Sequence, residues 1–485
     1  MSPRTLLVAS FTLLLALPAR RAAIAADAAS LAGAWSGTVT HAGETRPIGL
    51  ELSAGAAGRL AVVYDFPAVH FDHVALGEAP VTFTGDSVRI GPFRFAYDAA
   101  AGTLTGLVPH VFVPAYDMPV SLRRVAGVTL APRVPMAGRD AAPLWTYDAG
   151  APLRAGAAYG DGLVLAGGED GVVHALDART GARRWTWRAG GPVRARPVVT
   201  GGTVYVFSDD NVLARLDAAG GRPAWRTALA DSAVTRTEAF DRFGSEVTVA
   251  RGAVYVGTHA GDVVALDAAH GTVRWRRHVG REVSAAPEAH DDVVYAGTTD
   301  GHVVALDAST GAVRWDHSGK GAVVSTPAWG AGRVIVGDRA YDLNALDART
   351  GEPVWTRYLW GSWVESSATV SGGLAYVGSS DADVVQALDV RSGEVRWAAD
   401  VFGWTWGRPA VTARSVCAGV SGQAGYPVAQ WAGVVALDRA GGTVRWRYAM
   451  PAPASGDYGV AGSVAAGEGR VYAAGLDGRV RAFAE

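Results

Sequence analysis

The side chains best suited to chemistry in this chain are tryptophans, arginines and carboxylates. Trp360, Trp363 and Glu365 fall in one short stretch, Trp404 and Trp406 in another, and Trp431 follows soon after. Aromatic planes beside Arg and Glu can hold a flat ligand, a sugar or an extended peptide by stacking and charge-assisted hydrogen bonds. The same indoles could instead pack loops down or dock one domain on another. A metal is the other chemistry to weigh: His70 and His73 have His-x-x-His spacing, with His110 as a third ligand. No acidic or Cys ligand is clearly placed beside them, so ordinary surface or half-buried histidines account for the pattern and no metal site is assigned.

Catalytic signatures are missing. There is no Gly-x-Ser-x-Gly elbow, no His-Glu-x-x-His and no phosphate-cradling glycine loop. Lys320 is the sole lysine and position 317 is His, which excludes a Ser-x-x-Lys nucleophile. Cys417 is the sole cysteine, so an intramolecular disulfide, a Cys-rich metal site and a Cys-x-x-Cys-His haem attachment are all excluded. Net charge is −2, without a basic block, which gives no footprint for nucleic acid.

The elements that must position these residues come from a repeat. Asp177, Asp217, Asp267, Asp307, Asp347, Asp389 and Asp438 are each followed eight positions later by a tryptophan: Trp185, Trp225, Trp275, Trp315, Trp355, Trp397 and Trp446. A Gly stands four positions after each Asp. The Val-x-Ala-Leu run before the Asp reads as a strand buried on both faces. The Asp accepts backbone N–H groups in the turn, Gly supplies its positive φ, and Trp opens the next strand with a large flat surface for a neighbour. With two more short strands upstream, each unit is a four-stranded propeller blade. Trp145 matches the Trp strand with no blade before it, and Arg479 to Phe483 matches the Asp strand with no Trp strand after it. The two fragments complete an eighth blade and leave no free edge.

The pattern Ala-Leu-Asp-x-x-Thr-Gly-x-x-x-Trp resembles the tryptophan-docking repeat of the pyrroloquinoline quinone (PQQ) dehydrogenase-like propellers. The same repeat occurs in the propeller subunit of the outer-membrane β-barrel assembly machinery. The resemblance covers residues 142–485 and implies an all-β, eight-bladed quinoprotein-like fold. It implies two activities that differ: a cofactor-free binding scaffold, or an enzyme using PQQ and calcium. In the second case Glu365 would be a calcium ligand and Trp406 a stacking platform. The adjacent cysteines that many of those enzymes carry cannot be supplied here, and asparagine occurs only at 211 and 344.

Residues 31–125 contain short alternating runs that predict a single antiparallel sheet or small barrel. Trp-Ser-Gly-Thr at 35–38 and Thr-Leu-Thr-Gly at 103–106 resemble the lipocalin-like β-domain preceding some secreted hydrolases. Residues 126–141 read as a linker. Residues 1–30 read as a signal peptide: Arg4, an apolar run Leu6 to Leu17 too short to span a bilayer, then Ala23-Ile24-Ala25. A periplasmic or secreted protein is expected, with no membrane span and no lipid anchor, since no Cys lies near the cleavage site.

Blade topology sorts residues onto faces. The loops between blades, and those between the second and third strands, share one face; the Asp-Gly hairpins occupy the other. Aligning the first strands puts Arg154, Arg194, Gly244, Ser284, Val324, Glu365, Trp406 and Ala461 at one equivalent position. Small residues are the packing default there, so Arg154, Arg194, Glu365 and Trp406 stand out. Insertions fall on the same face, at 230–242 with Arg236 and at 421–432 with Trp431. The expectation is an exported, monomeric, non-catalytic propeller binding a protein, peptide or small ligand through Arg154, Arg194, Arg236, Trp360, Trp363, Glu365, Trp404, Trp406 and Trp431. The alternative is a PQQ- and calcium-dependent dehydrogenase of alcohols or sugars.

Overall fold

A computed structural model describes residues 27–41, 44–69, 71–109, 117–130, 136–230, 244–426 and 428–485. His70, His110 and Arg236 lie outside the described residues, as does the expected targeting segment up to residue 26. Strands dominate; the described helices are one turn at Ala28–Leu31 and two 3-10 turns.

Eight antiparallel strands close into an amino-terminal barrel: β1 (Gly33–His41), β2 (Glu44–Ala54), β3 (Arg59–Phe66), β4 (Phe71–Thr84), β5 (Ser87–Ile90), β6 (Phe93–Asp98), β7 (Thr103–Pro109) and β8 (Asp117–Val125). Closure is made by β1 against β8, with Gly37 opposite Leu122. A Cβ at Gly37 would sit 1.9 Å from the Ser121 carbonyl oxygen, which explains the glycine of the Trp-Ser-Gly-Thr motif. Alternation along β3 turns Leu60, Val62, Tyr64 and Phe66 inward. Tyr64 stacks on Phe93 and meets Phe66 and Phe71 edge-on, so side chains fill the barrel. The turn at 28–31 belongs to this body. Asp27 caps it by accepting from the Ser30 N–H at 2.9 Å, Leu31 is buried in the core, and Trp35 Nε1 donates to the Leu31 carbonyl at 2.8 Å.

Eight separate sheets form the propeller. Blade one comprises 157–160, 163–167, 172–177 and 183–188, paired in that order. Blades two to seven begin at 198, 248, 288, 328, 369 and 410. Blade eight takes three strands from 465–484 and its outer strand from Trp145–Asp148, with Trp145 opposite Ala482. The chain thus closes its ring as its two terminal fragments required. Blade seven is elaborated. Its second strand runs on to Ala424, and the extension pairs with Gly456–Gly459. Residues Arg139–Asp140 add to its outer strand in parallel, and Met136 joins the core between blades six and seven. The expected linker is therefore fastened to the propeller at its far end.

Neighbouring blades are joined by one repeated contact. Trp145 and every repeat tryptophan except Trp446 lie over the turn glycine of the following blade and donate Nε1 to a carbonyl in that turn. Trp275 shows it: Nε1 reaches the Ala308 carbonyl at 3.0 Å, with the ring above Gly311. Trp145, Trp185, Trp225, Trp315, Trp355 and Trp397 repeat it at 2.8–3.3 Å on Ala178, Ala218, Ala268, Ala348, Val390 and Arg439. In three blades a tyrosine of the second strand gives its hydroxyl to the same carbonyl: Tyr205, Tyr255 and Tyr295. The repeat aspartates hold the receiving turns. Asp307 Oδ1 accepts from the N–H groups of Ser309 and Thr310 and from both hydroxyls, which keeps its carboxyl well below the ordinary range. Trp446 differs. It packs on Phe483 in the closing blade, and its Nε1 has no hydrogen-bond partner among the described residues.

The dock has a measurable signature. Gly311 has φ +71°, and a Cβ there would lie 2.6 Å from Trp275, whereas Gly332 at φ +74° has open space around it. Gly332→Ala should cost about 1–2 kcal/mol, the price of a left-handed alanine. Gly311→Ala should lower the melting temperature clearly further, because the indole must also move; equal losses would mean that the contact contributes little.

Candidate functional site: the channel mouth

The inner strands surround an axial channel, and their alignment carries into space. Arg194, Gly244, Ser284, Val324, Glu365 and Trp406 all line a cavity of about 240 Å³ at its mouth. Around the rim the charges are chained. Arg154 Nε donates to Glu169 at 2.9 Å and its Nη1 lies 3.6 Å from Asp457. Arg194 grips Glu169 at 3.0 Å and Asp209 at 2.5 Å. Burial alone would raise the Glu169 carboxyl, but the hydrogen bonds from Arg194 and Arg154 outweigh it and hold the carboxyl below its usual range. On another arc Arg339 Nε donates to Glu365 at 2.7 Å, and its guanidinium lies 4.9 Å from the centre of the half-buried Trp363 ring. His259 meets Glu282 at 2.8 Å.

The remaining tryptophans are used differently. Trp406 is buried and stacked on Trp404, centroids 4.8 Å apart and planes 19° from parallel. Trp404 Nε1 and the Tyr426 hydroxyl both donate to Asp381, at 3.2 and 2.6 Å. Burial nonetheless leaves the Asp381 carboxyl raised. Trp431 packs against the core of blades six and seven. Trp360 belongs to the barrel. It is 5% exposed, lies edge-on to Phe66 and gives Nε1 to Glu44 at 2.9 Å. Glu44 also binds Arg46 and Arg357, and His41 packs on Tyr358. The barrel therefore rests on the channel-mouth face beside blades five and six, with a cleft of about 610 Å³ between them.

Of the candidates read from sequence, Arg194, Glu365 and Trp406 converge on the cavity, Arg154 and Trp363 pair with groups at its rim, and Trp360, Trp404 and Trp431 are packed or docked. Sequence reasoning passed over Arg196, Glu246 and Arg408, two residues beyond the aligned position in the segment that leads into each first strand. Arg196 holds Glu246 through Nε and Nη2 at 3.2 and 3.0 Å. Glu169, Asp209 and Arg339 were also missed; they come from the loops between second and third strands. Of His70, His73 and His110, to which no metal site was assigned, only His73 is described; its Nδ1 lies 2.6 Å from buried Asp65, with exposed Asp72 beside them.

An eight-bladed ring sealed by tryptophan docks, with a polar axial channel, defines a quinoprotein-like propeller. The family described as outer membrane protein assembly factor BamB matches residues 136–241, 231–359 and 317–485, and the chain belongs to it. No curated protein matches the chain. Among solved structures, BamB from Moraxella catarrhalis aligns at 20% identity and TM-score 0.53, covering 71% of this chain and 97% of that one. The computationally designed Ika8 protein aligns at 16% identity and TM-score 0.58, over 72% of this chain and all of that one. Quinohemoprotein alcohol dehydrogenase from Comamonas testosteroni aligns at 16% identity and TM-score 0.53, over 71% and 76%. These likenesses carry the fold. Among the described residues no helix is long and apolar enough to cross a membrane.

The different uses of the tryptophans predict different losses. Trp360→Ala should cost about 3–5 kcal/mol of barrel docking, read as faster limited proteolysis of residues 126–141. Trp363→Ala should cost only about 1–2 kcal/mol, since a half-buried ring and one cation–π contact are lost. Equal proteolysis of the two variants would contradict this assignment.

Proposed function

We propose that this chain is an exported, non-catalytic binding propeller that takes a protein or peptide partner in the cell envelope through its channel-mouth face. The observation that carries the reading is the arc of Trp363, Arg339 and Glu365. There an aromatic plane, a cation and a carboxylate are already held together at the rim of the channel cavity. Such preorganised groups bind at low entropic cost. Membership of a family described as an assembly factor agrees with a binding role, and the signal-like amino terminus agrees with export. We place the protein in the periplasm or outside the cell on the same grounds.

The experiment is site-specific photo-crosslinking in cells, with the probe at Trp363 or, on the opposite face, at Ser309. A discrete adduct from position 363 that Arg339→Glu abolishes is expected. An adduct only from position 309 would move the partner to the hairpin face and overturn this reading.

The channel residues do not fit PQQ with calcium. Glu365 is committed to Arg339, and Trp406 is buried in its stack on Trp404. The described group with the spacing of a metal site, Asp65, Asp72 and His73, lies in the barrel. A ligand of the native state must raise the melting temperature as it saturates. Titration with PQQ and calcium, alone and together, should give no saturable shift; a shift requiring both would restore the dehydrogenase reading.

A further inference from the structure

Two residues past the first aligned set, the equivalent position in each blade is Gly156, Arg196, Glu246, Ala286, Thr326, Ser367, Arg408 and Ser463, and all but Gly156 and Arg196 line the cavity. On one side the charges cancel, because Arg196 and Glu246 form a two-pronged ion pair. On the other, four consecutive blades supply Thr326, Ser367, Arg408 and Ser463, all lining the 240 Å³ cavity. The Ser367 hydroxyl oxygen accepts the Thr326 N–H at 2.9 Å, and the Ser463 oxygen accepts the Arg408 N–H at 3.1 Å. Each accepts through oxygen and retains its O–H to donate.

The Arg408 guanidinium is the exception among the arginines of this cavity. Arg194 and Arg339 are each bound to carboxylates. Arg408 makes no side-chain hydrogen bond or ion pair with any described residue; burial presses its pKa down, and Glu246 and Glu288 oppose this only through space. Burial likewise pushes the Glu288 carboxyl up, weakening it as a counter-charge. A guanidinium cannot discharge itself by losing its proton, so an unmatched one in a recessed site favours an anion.

We propose that the arc of Thr326, Ser367, Arg408 and Ser463 is a binding site for a small oxyanion, a carboxylate or phosphate group on a molecule of few atoms. A fork of guanidinium N–H donors flanked by hydroxyls matches such a group. The cavity lies below the roughly 300–1,000 Å³ of sites for drug-sized ligands, which selects a small molecule. Arg408 is a single unmatched cation beside an Arg196–Glu246 pair whose charges cancel, so monoanions are preferred over di- and tricarboxylates.

The test is calorimetric and thermal-shift titration of the full chain at constant ionic strength with inorganic phosphate, acetate and citrate. A saturable response to phosphate or to acetate is expected, and which of the two responds identifies the headgroup; citrate should be weaker. Arg408→Gln should weaken it about tenfold or more, the loss of one charge-assisted contact, without lowering the melting temperature of the free protein. Ser367→Ala combined with Ser463→Ala keeps the charge and should weaken binding by a smaller factor, so the site stays testable if the Arg variant fails to fold. No saturable response in the wild type, or an undiminished response in either variant, overturns the proposal. Crosslinking at Trp363 is indifferent to these outcomes, so this inference and the partner reading fail separately.

Discussion

Everything in the propeller depends on an indole lying flat on a glycine. A four-stranded blade has two apolar faces and cannot bury either alone, so its stability comes from its neighbours. The tryptophan supplies area, its Nε1 supplies direction, and the glycine lets the ring approach to contact distance. Because the donor sits on the outer strand of one blade and the acceptor in a turn of the next, repetition of the contact sets the angle between blades. Seven such contacts and one tyrosine-and-phenylalanine-lined seam leave an axial space whose width is fixed by the packing around it.

That fixed width makes the inner strand positions chemically informative. Two sets of equivalent residues fall in the segments that lead into the first strands, and members of both line the same cavity. In the first set, Arg154, Arg194 and Glu365 are paired with Glu169, Asp209 and Arg339 from the loops between second and third strands. The second set is half matched and half not. The barrel closes over one side of this face through Glu44 and Trp360, so a partner approaching the channel meets an asymmetric rim.

The blade count and the closing strand were legible because Asp, Gly and Trp recur at invariant spacing, and because each has one geometric role. The rim was legible in part. Arg194, Glu365 and Trp406 were found by aligning first strands, and the same alignment carried two residues further would have found Arg196, Glu246 and Arg408. Glu169, Asp209 and Arg339 were not visible, since their meeting with the first set depends on how the second and third strands are connected above it. Trp360 shows a further limit. An exposed-looking loop tryptophan and a docking tryptophan have the same local sequence, and only the position of Glu44 on a distant barrel strand distinguishes them. The strands of the barrel were readable from alternation, but its closure rests on the pairing of β1 with β8, which alternation does not encode.

The seam in blade eight has a consequence for biogenesis. Strand Trp145–Asp148 precedes every propeller strand except Arg139–Asp140, yet its partner, Arg479–Ala484, follows all of them in the chain. Closing a loop of that length is entropically costly and delays the contact. During synthesis the early strand therefore keeps an unsatisfied edge while the intervening blades assemble. Arg139–Asp140, just ahead of it, is held to blade seven by parallel pairing. Once that blade exists, the waiting strand is tethered beside the gap it must fill, which shortens the final search.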